Sequence, residues 1–288
     1  MSLASFSTGS TAARLGKVIG DVVVDLSVAA PDLPTTVAGF LKAGDRARDL
    51  YRSVDADAGQ ALPLSEVRLH APVPAPEKFL AIGMNYSDHG EEARKLGLEV
   101  PKYQLWFNKQ VSCIGGPFDG IVMPSVSDQL DYEIELAVVI GTECRNVPAE
   151  AARAVIGGYM VTNDVSVRDW QFRTSTMTLG KSFDTHGPTG PWLTLDHEVA
   201  DPLALNLTLT VNGVEKQRAS TGDMIFDIYE QIAYLSQVMT LKPGDILATG
   251  TPSGVGVSRE PPEFLKPGDV VRAEIEGLGA IENRVIVA

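Results

Sequence analysis

The sequence predicts an α+β protein in which strands outnumber helices. Three observations carry this. Strand-like runs recur along most of the 288 residues, at 14–26, 78–83, 131–141, 157–163 and 203–211. Helical spacing is confined to 35–51, 88–97 and 226–239. A Leu-Lys-Pro-Gly-Asp turn, at 241–245 and again at 265–269, launches two further strand-like runs. With 44% hydrophobic and 21% charged residues, the chain can bury a large core.

The first run, 14–26, is two short β-prone stretches around Gly20-Asp21, which reads as a hairpin. Residues 35–51 read as one helix with Val37, Phe40, Leu41, Leu50 and Tyr51 on its apolar side. Three prolines within 71–76 then fix an extended linker or crossing strand. The domain boundary falls there, with 1–71 as a small N-terminal α/β domain and 72–288 as the main one.

Residues 78–83 are a buried strand by composition, followed by a short helix with strong end signals. Asp88 is its N-cap with Glu91 three residues on, Arg94 and Lys95 fall in the last turn, and Gly97 ends it. His89 and Glu92 share a face of that helix, so the carboxylate can orient the imidazole and raise its basicity. The plainer reading is a dipole-complementing Glu92 beside a solvated His89.

The stretch 131–141 reads as one strand. Successive side chains point to opposite faces, so Asp131, Glu133 and Glu135 share one and Tyr132, Ile134, Leu136 and Val138 the other. Glu133 and Glu135 then stand about 6.6 Å apart, at two residues of strand rise. This is either a polar strand face turned to water or a place for a cation between like charges. The strand at 157–163 ends at Asn163-Asp164 and passes into a helical turn that sets Asp164, Arg168 and Gln171 on one face. If Asp164 projects toward Glu133 and Glu135, three hard-oxygen ligands suit Mg²⁺, Mn²⁺ or Ca²⁺ and not zinc. The four histidines, His70, His89, His186 and His197, have no zinc-protease spacing. Lys181 follows in a turn-rich segment, as a surface lysine or, beside a metal, as a stabiliser of anionic charge.

Residues 203–211 alternate apolar and polar and meet Asn212-Gly213, a hairpin signal. Helical spacing of Ile228, Ile232, Leu235 and Met239 follows. Pro-Gly at the centre of both repeated turns suits a type II turn. The glycine-rich run 248–256 lacks a Gly-Lys-Ser/Thr ending and has Arg259 where a dinucleotide fingerprint needs glycine, so it is no nucleotide loop. Its N–H groups and the hydroxyls of Thr249, Thr251 and Ser253 could hold a carboxylate. Trp106, Phe107, Trp170 and Phe172 read as core or as the lining of an acyl pocket.

A formal charge of −13 and a pI near 4.7 argue against a nucleic-acid or anionic-membrane partner. Cys113 and Cys144 lack metal or redox spacing, the N-terminal residues lack a signal-peptide core, and no run reaches the ~20 apolar residues of a membrane helix. A cytoplasmic protein is expected.

Five pieces, in order, carry a resemblance. They are Gly83-x-Asn85-Tyr86-x-x-His89, Asp131-Tyr132-Glu133-x-Glu135-Leu136, Asn163-Asp164-x-Ser166-x-Arg168-Asp169-x-Gln171, Gly180-Lys181 and Thr249-Gly250-Thr251-Pro252. From about residue 78 to the C-terminus the chain resembles the fumarylacetoacetate hydrolase family. The resemblance implies a β-rich mixed-sheet roll, a homodimer, and Mg²⁺ or Mn²⁺ on Glu133, Glu135 and Asp164. It makes His89 and Glu92 a water-activating pair and Lys181 a catalytic group, with Arg168, Gln171, Thr251, Asn85 and Tyr86 around a 2-oxo acid substrate. The activity it implies is hydrolysis of the C3–C4 bond of a 2,4-dioxo acid, such as an acylpyruvate, to pyruvate and a carboxylic acid. The alternative on the same metal site is oxaloacetate decarboxylation or isomerisation of a 2-hydroxy-dienoate.

Overall fold

The structure, a computed structural model, describes residues 2–88 and 102–287. The helix expected over 88–97 therefore lies, past Asp88, outside the described residues. Among the described residues the architecture is α+β and dominated by a twelve-stranded mixed sheet. Ten of its strands run, in spatial order, Ala61–Pro63, Val22–Asp25, Arg14–Ile19, Ser2–Ser7, Gly187–Leu195, Ile156–Asn163, Ile134–Ile140, Ile246–Ala248, Phe79–Gly83 and Leu105–Lys109. A second sheet of five strands is ordered Val214–Ser220, Asn206–Val211, Val270–Ile275, Gly279–Ile286 and Ile121–Val122.

The central strand Ile134–Ile140 explains the layering. Every residue in it is buried, so it has no wet face. Leu136, Val138 and Ile140 enter a core shared with Leu207, Leu209, Ile275 and Ile281 of the second sheet and Ile232 and Leu235 of the Ile228–Val238 helix. Ala137 and Val139 face the opposite core, with Val37, Phe40, Leu41 and Tyr51. The strand is thus apolar on both sides because both sides are covered, and the carboxylates stand only at its N-terminal end.

Local signals place most ends. The 14–26 hairpin turns at Gly20, whose φ of +57° is the left-handed conformation glycine adopts without steric cost. Both repeated turns put Gly244 and Gly268 at φ near +95° and +98°, and in each the following aspartate accepts from the lysine N–H three residues back. Asp227 and Glu230 form a reciprocal capping box on the Ile228–Val238 helix.

Three expectations change. The helix read over 35–51 is two, Val37–Lys42 and Asp45–Ser53, broken where Gly44 adopts φ +68°. The run 131–141 is two strands, Leu130–Asp131 and Ile134–Ile140, with Tyr132 and Glu133 between them. The segment read as a separate N-terminal domain contributes five strands to the main sheet, Ser2–Ser7 pairing directly with Gly187–Leu195 and with Arg68–His70, and Ala71, Pro72 and Val73 of the supposed linker are buried.

Candidate active site

The break before the central strand is where the site forms. Glu133 lies in the gap, its N–H donating to Asn163 Oδ1 at 2.9 Å and its carbonyl accepting from Asp164 N–H at 2.8 Å, so the two acidic segments are stitched together. Glu135 is the second residue of the strand. Asp164 follows the Ile156–Asn163 strand, and ligand oxygens of Glu133, Glu135 and Asp164 all lie within 4.8 Å of one another. All three are buried. Asp164 and Arg168 do not share a helix, because a short strand, Ser166–Val167, intervenes and only Arg168–Gln171 is helical. Tertiary pairing unites them: Ser166–Val167 runs antiparallel to Leu130–Asp131.

Cations fill the gaps between the acids. Lys181 is buried, against the surface reading, and its Nζ sits 2.6 Å from Glu133 Oε2 and 2.8 Å from Asp164 Oδ2. Arg168 donates through Nε to Asp131 Oδ2 at 2.8 Å and stands 2.6 Å through Nη1 from Glu133 Oε1, while Nη1 also donates to Gln171 Oε1 at 2.9 Å. Its Nη2 is buried without a hydrogen-bond partner among the described residues. Lys109, which no sequence motif singled out, is fully buried with Nζ 2.6 Å from Asp164 Oδ1 and further bonds to the Lys181 and His186 carbonyls. Its only sequence signal is a charge closing the run Leu-Trp-Phe-Asn-Lys at 105–109, with no partner at any regular spacing.

Four carboxylates, counting Asp131, thus meet three cations, and Glu135 has no ion-pair partner among the described residues. Burial pushes its carboxyl well above the usual range, and the Asp164 and Glu133 carboxylates push it further against the opposing pull of Lys181 and the Gly250 N–H. A cation held by the triad relieves that repulsion, and three hard oxygens are the donor set of Mg²⁺ or Mn²⁺. The residues present therefore fit a divalent metal.

The glycine-rich loop serves the protein's own carboxylates. Gly250 N–H donates to Glu135 Oε2 at 2.8 Å, and Gly256 and Val257 N–H to the two oxygens of Asp131 at 2.7 and 2.9 Å. Asp131 is thereby a support that holds Arg168. Thr249 donates to the Leu136 carbonyl and Thr251 Oγ1 accepts from Gln217.

A cavity of about 140 Å³ opens on this cluster. Glu133, Glu135, Arg168, Gln171, Lys181 and Thr251 give it a polar end; Ile82, Leu105, Phe107, Met84, Met177 and Val255 give it an apolar one. Of the four aromatics, Phe107 and Phe172 line it, whereas Trp106 and Trp170 pack against the core. Asn85 and Tyr86, expected at the substrate, are buried outside its wall. The Asn85 amide clamps Phe226 and the Thr249 carbonyl and so positions the loop, and Tyr86 bridges to Met224. His89 and Glu92 lie outside the described residues.

A mixed-sheet fold with a buried acidic triad and a lysine beside a small cavity has the make-up of a metal-binding enzyme. The sequence profile described as Fumarylacetoacetate (FAA) hydrolase C-terminal matches residues 78–286. Oxaloacetate tautomerase FAHD2A, mitochondrial, of Bos taurus is 45% identical over 269 residues, 93% of this chain and 85% of that protein. Among solved structures, the fumarylacetoacetate hydrolase of Exiguobacterium antarcticum aligns with TM-score 0.88 at 33% identity, covering both chains completely. Maleylpyruvate hydrolase of Sphingobium sp. SYK-6, in complex with manganese(II) and pyruvate, aligns with TM-score 0.84 at 34% identity over the whole of both chains. The chain belongs to the fumarylacetoacetate hydrolase family. No helix among the described residues is long and apolar enough to cross a membrane.

Proposed function

We propose that this protein binds a short 2-oxo diacid of the oxaloacetate class and moves a proton at its C3, interconverting keto and enol forms. One observation carries the reading: a single cavity wall presents Glu133 and Glu135 of the acidic triad and, beside them, an arginine whose buried Nη2 has no partner among the described residues. An anionic substrate carboxylate satisfies that donor, and an unmatched buried donor otherwise costs about 1–3 kcal/mol. The tautomerase relative supports the same choice.

A divalent cation on Glu133, Glu135 and Asp164 would supply Lewis-acid stabilisation of an enolate, worth several kcal/mol. Arg168 takes the far carboxylate, oriented by Asp131 and Gln171. Lys181 uses two of its three donors on Glu133 and Asp164 and offers the third to the oxygen on C2, where negative charge develops. Thr251, whose oxygen already accepts from Gln217, keeps its hydroxyl hydrogen for the substrate. The apolar end excludes water and strengthens each of these contacts. His89 with Glu92 takes the C3 proton as general base and gives a proton back to the C2 oxygen, so the enol forms with no net change in protons, a step worth about 10²–10⁴ in rate. Cleavage of an acylpyruvate asks that pair to activate water instead.

The deciding experiment supplies oxaloacetate and a set of acylpyruvates with Mg²⁺, Mn²⁺ or EDTA, following enol absorbance, pyruvate and carbon dioxide separately. Metal-dependent acceleration of the keto–enol exchange without carbon–carbon cleavage is expected. Rapid pyruvate release from acylpyruvates with no effect on oxaloacetate enol would overturn the proposal in favour of hydrolysis.

A further inference from the structure

Two methionines in the cavity wall share a backbone anomaly. Met84 and Met177 have φ of +55° and +58°, in the left-handed region that residues with a Cβ rarely adopt. Only five non-glycine residues among those described do so, and both of these line the cavity. Such conformations persist where the surroundings over-determine them. Met84 follows the Phe79–Gly83 strand and precedes Asn85, whose amide is held by Phe226 and Thr249. Met177 is held through its carbonyl, which accepts from Gly180 N–H at 3.1 Å, and its sulfur stands 3.8 Å from the Gln171 side-chain nitrogen. Gly180 in turn packs so tightly on Gln171 that an added Cβ would lie 2.1 Å from the Gln171 nitrogen. Each methionine is aimed by a pinned backbone, not by chance packing.

The rest of the apolar wall has little freedom. Ile82, Leu105 and Phe107 stand on two paired strands, and Val255 and Val257 on the loop anchored by Asp131. Within that frame, the unbranched methionines and the half-exposed Phe172 are the wall elements able to change shape. The enclosed volume of about 140 Å³ is well under the roughly 300 Å³ where pockets for larger ligands begin.

We propose that Met84 and Met177 set the chain-length limit of this site, admitting a four-carbon 2-oxo diacid and excluding longer ones. The inference deepens the function proposed above and rests on it. Each methionine removes room for chain atoms beyond C4, and a hydrophobic wall discriminates by about 10–200-fold per methylene.

The test compares kcat/KM for 2-oxo diacids of four to seven carbons in the wild type, Met84→Ala, Met177→Ala and the double variant. The ratio of the longest to the shortest acid should rise at least tenfold in each alanine variant and further in the double. Met84→Leu and Met177→Leu, similar in volume, should keep the wild-type ratio. An unchanged ratio in folded alanine variants overturns the length limit. The wild type alone provides a second reading that survives a variant's failure to fold. Competitive inhibition by unreactive dicarboxylates should weaken steeply beyond four carbons, and a flat series overturns the inference. If instead the wild type turns over no four-carbon acid, the proposed function fails first, and the two failures are distinguishable.

Discussion

Two buried lysines on the main sheet show how differently one fold uses an interior charge. Lys17, on the Arg14–Ile19 strand, places its ammonium on the carbonyls of Tyr51 at 2.9 Å, Arg52 at 3.4 Å and Val54 at 2.5 Å, closing the end of the Asp45–Ser53 helix. Burial lowers its pKa, against the pull of Glu198 and Asp55. Lys109, at the end of Leu105–Lys109, loses solvation as its largest single effect, but Asp164, with Cys113 and Glu133, together outweighs that and the net shift is upward. A lysine satisfied by carbonyls completes a helix end. One satisfied by a carboxylate that also belongs to an acidic triad sets the charge of a site.

Breaking the triad should have the largest effect. Asp164→Asn or Glu135→Gln removes a hard ligand, and losing several kcal/mol of Lewis-acid stabilisation corresponds to a rate loss of about 10²–10⁴. Titration calorimetry with Mn²⁺ should show weakened binding in parallel. Full metal affinity in both variants would move the metal site elsewhere.

Lys109→Met comes next, because removing one partner of a buried pair leaves the other charge uncompensated at about 3–5 kcal/mol. Denaturant unfolding should show that loss, together with lower turnover. A stable, active variant would reduce Lys109 to the role of Lys17.

His186 supplies the pH arm. Its Nε2 donates to the Val122 carbonyl at 2.9 Å and Nδ1 is buried without a partner among the described residues, so protonation buries a charge; burial holds the pKa down at about 4. A histidine whose folded value lies below its unfolded one takes its proton more readily when unfolded. Stability present above about pH 6.5 is therefore lost as pH falls through about 4, by up to roughly 3 kcal/mol. Thermal unfolding across that window should show the decline, and His186→Phe should flatten it. An identical profile in the variant would assign acid sensitivity to other groups.

Lys17→Met should be mildest, about 1–3 kcal/mol for carbonyls left unmatched, with turnover unchanged. A loss of activity at constant stability would show that the two lysines are not separable as described.

The comparison also explains what was legible beforehand. Glu133, Glu135 and Asp164 could be read as ligands because two spaced acids opening an apolar strand and a third closing another are local patterns. Glu133 nonetheless lies in a break between strands, which even spacing conceals. Lys109 escaped because a single lysine closing an apolar run has no partner within reach along the chain. Asn85 was recognised by motif but misplaced, because an amide that clamps two backbones and one that touches substrate look alike in a sequence.

By itself the sequence determined the hairpin at Gly20, the two Pro-Gly turns, the amphipathic helix within 226–239 and the chemical class of the acidic cluster. Each depends on dihedral preference or side-chain period within a few residues. Tertiary structure alone decided that the N-terminal strands join the main sheet and that Lys181 is interior. It also decided that the residue Asp131 supports is Arg168, and that Met84 and Met177 face one cavity. Those outcomes depend on the desolvation and pairing of groups tens to hundreds of residues apart, and no local pattern encodes them.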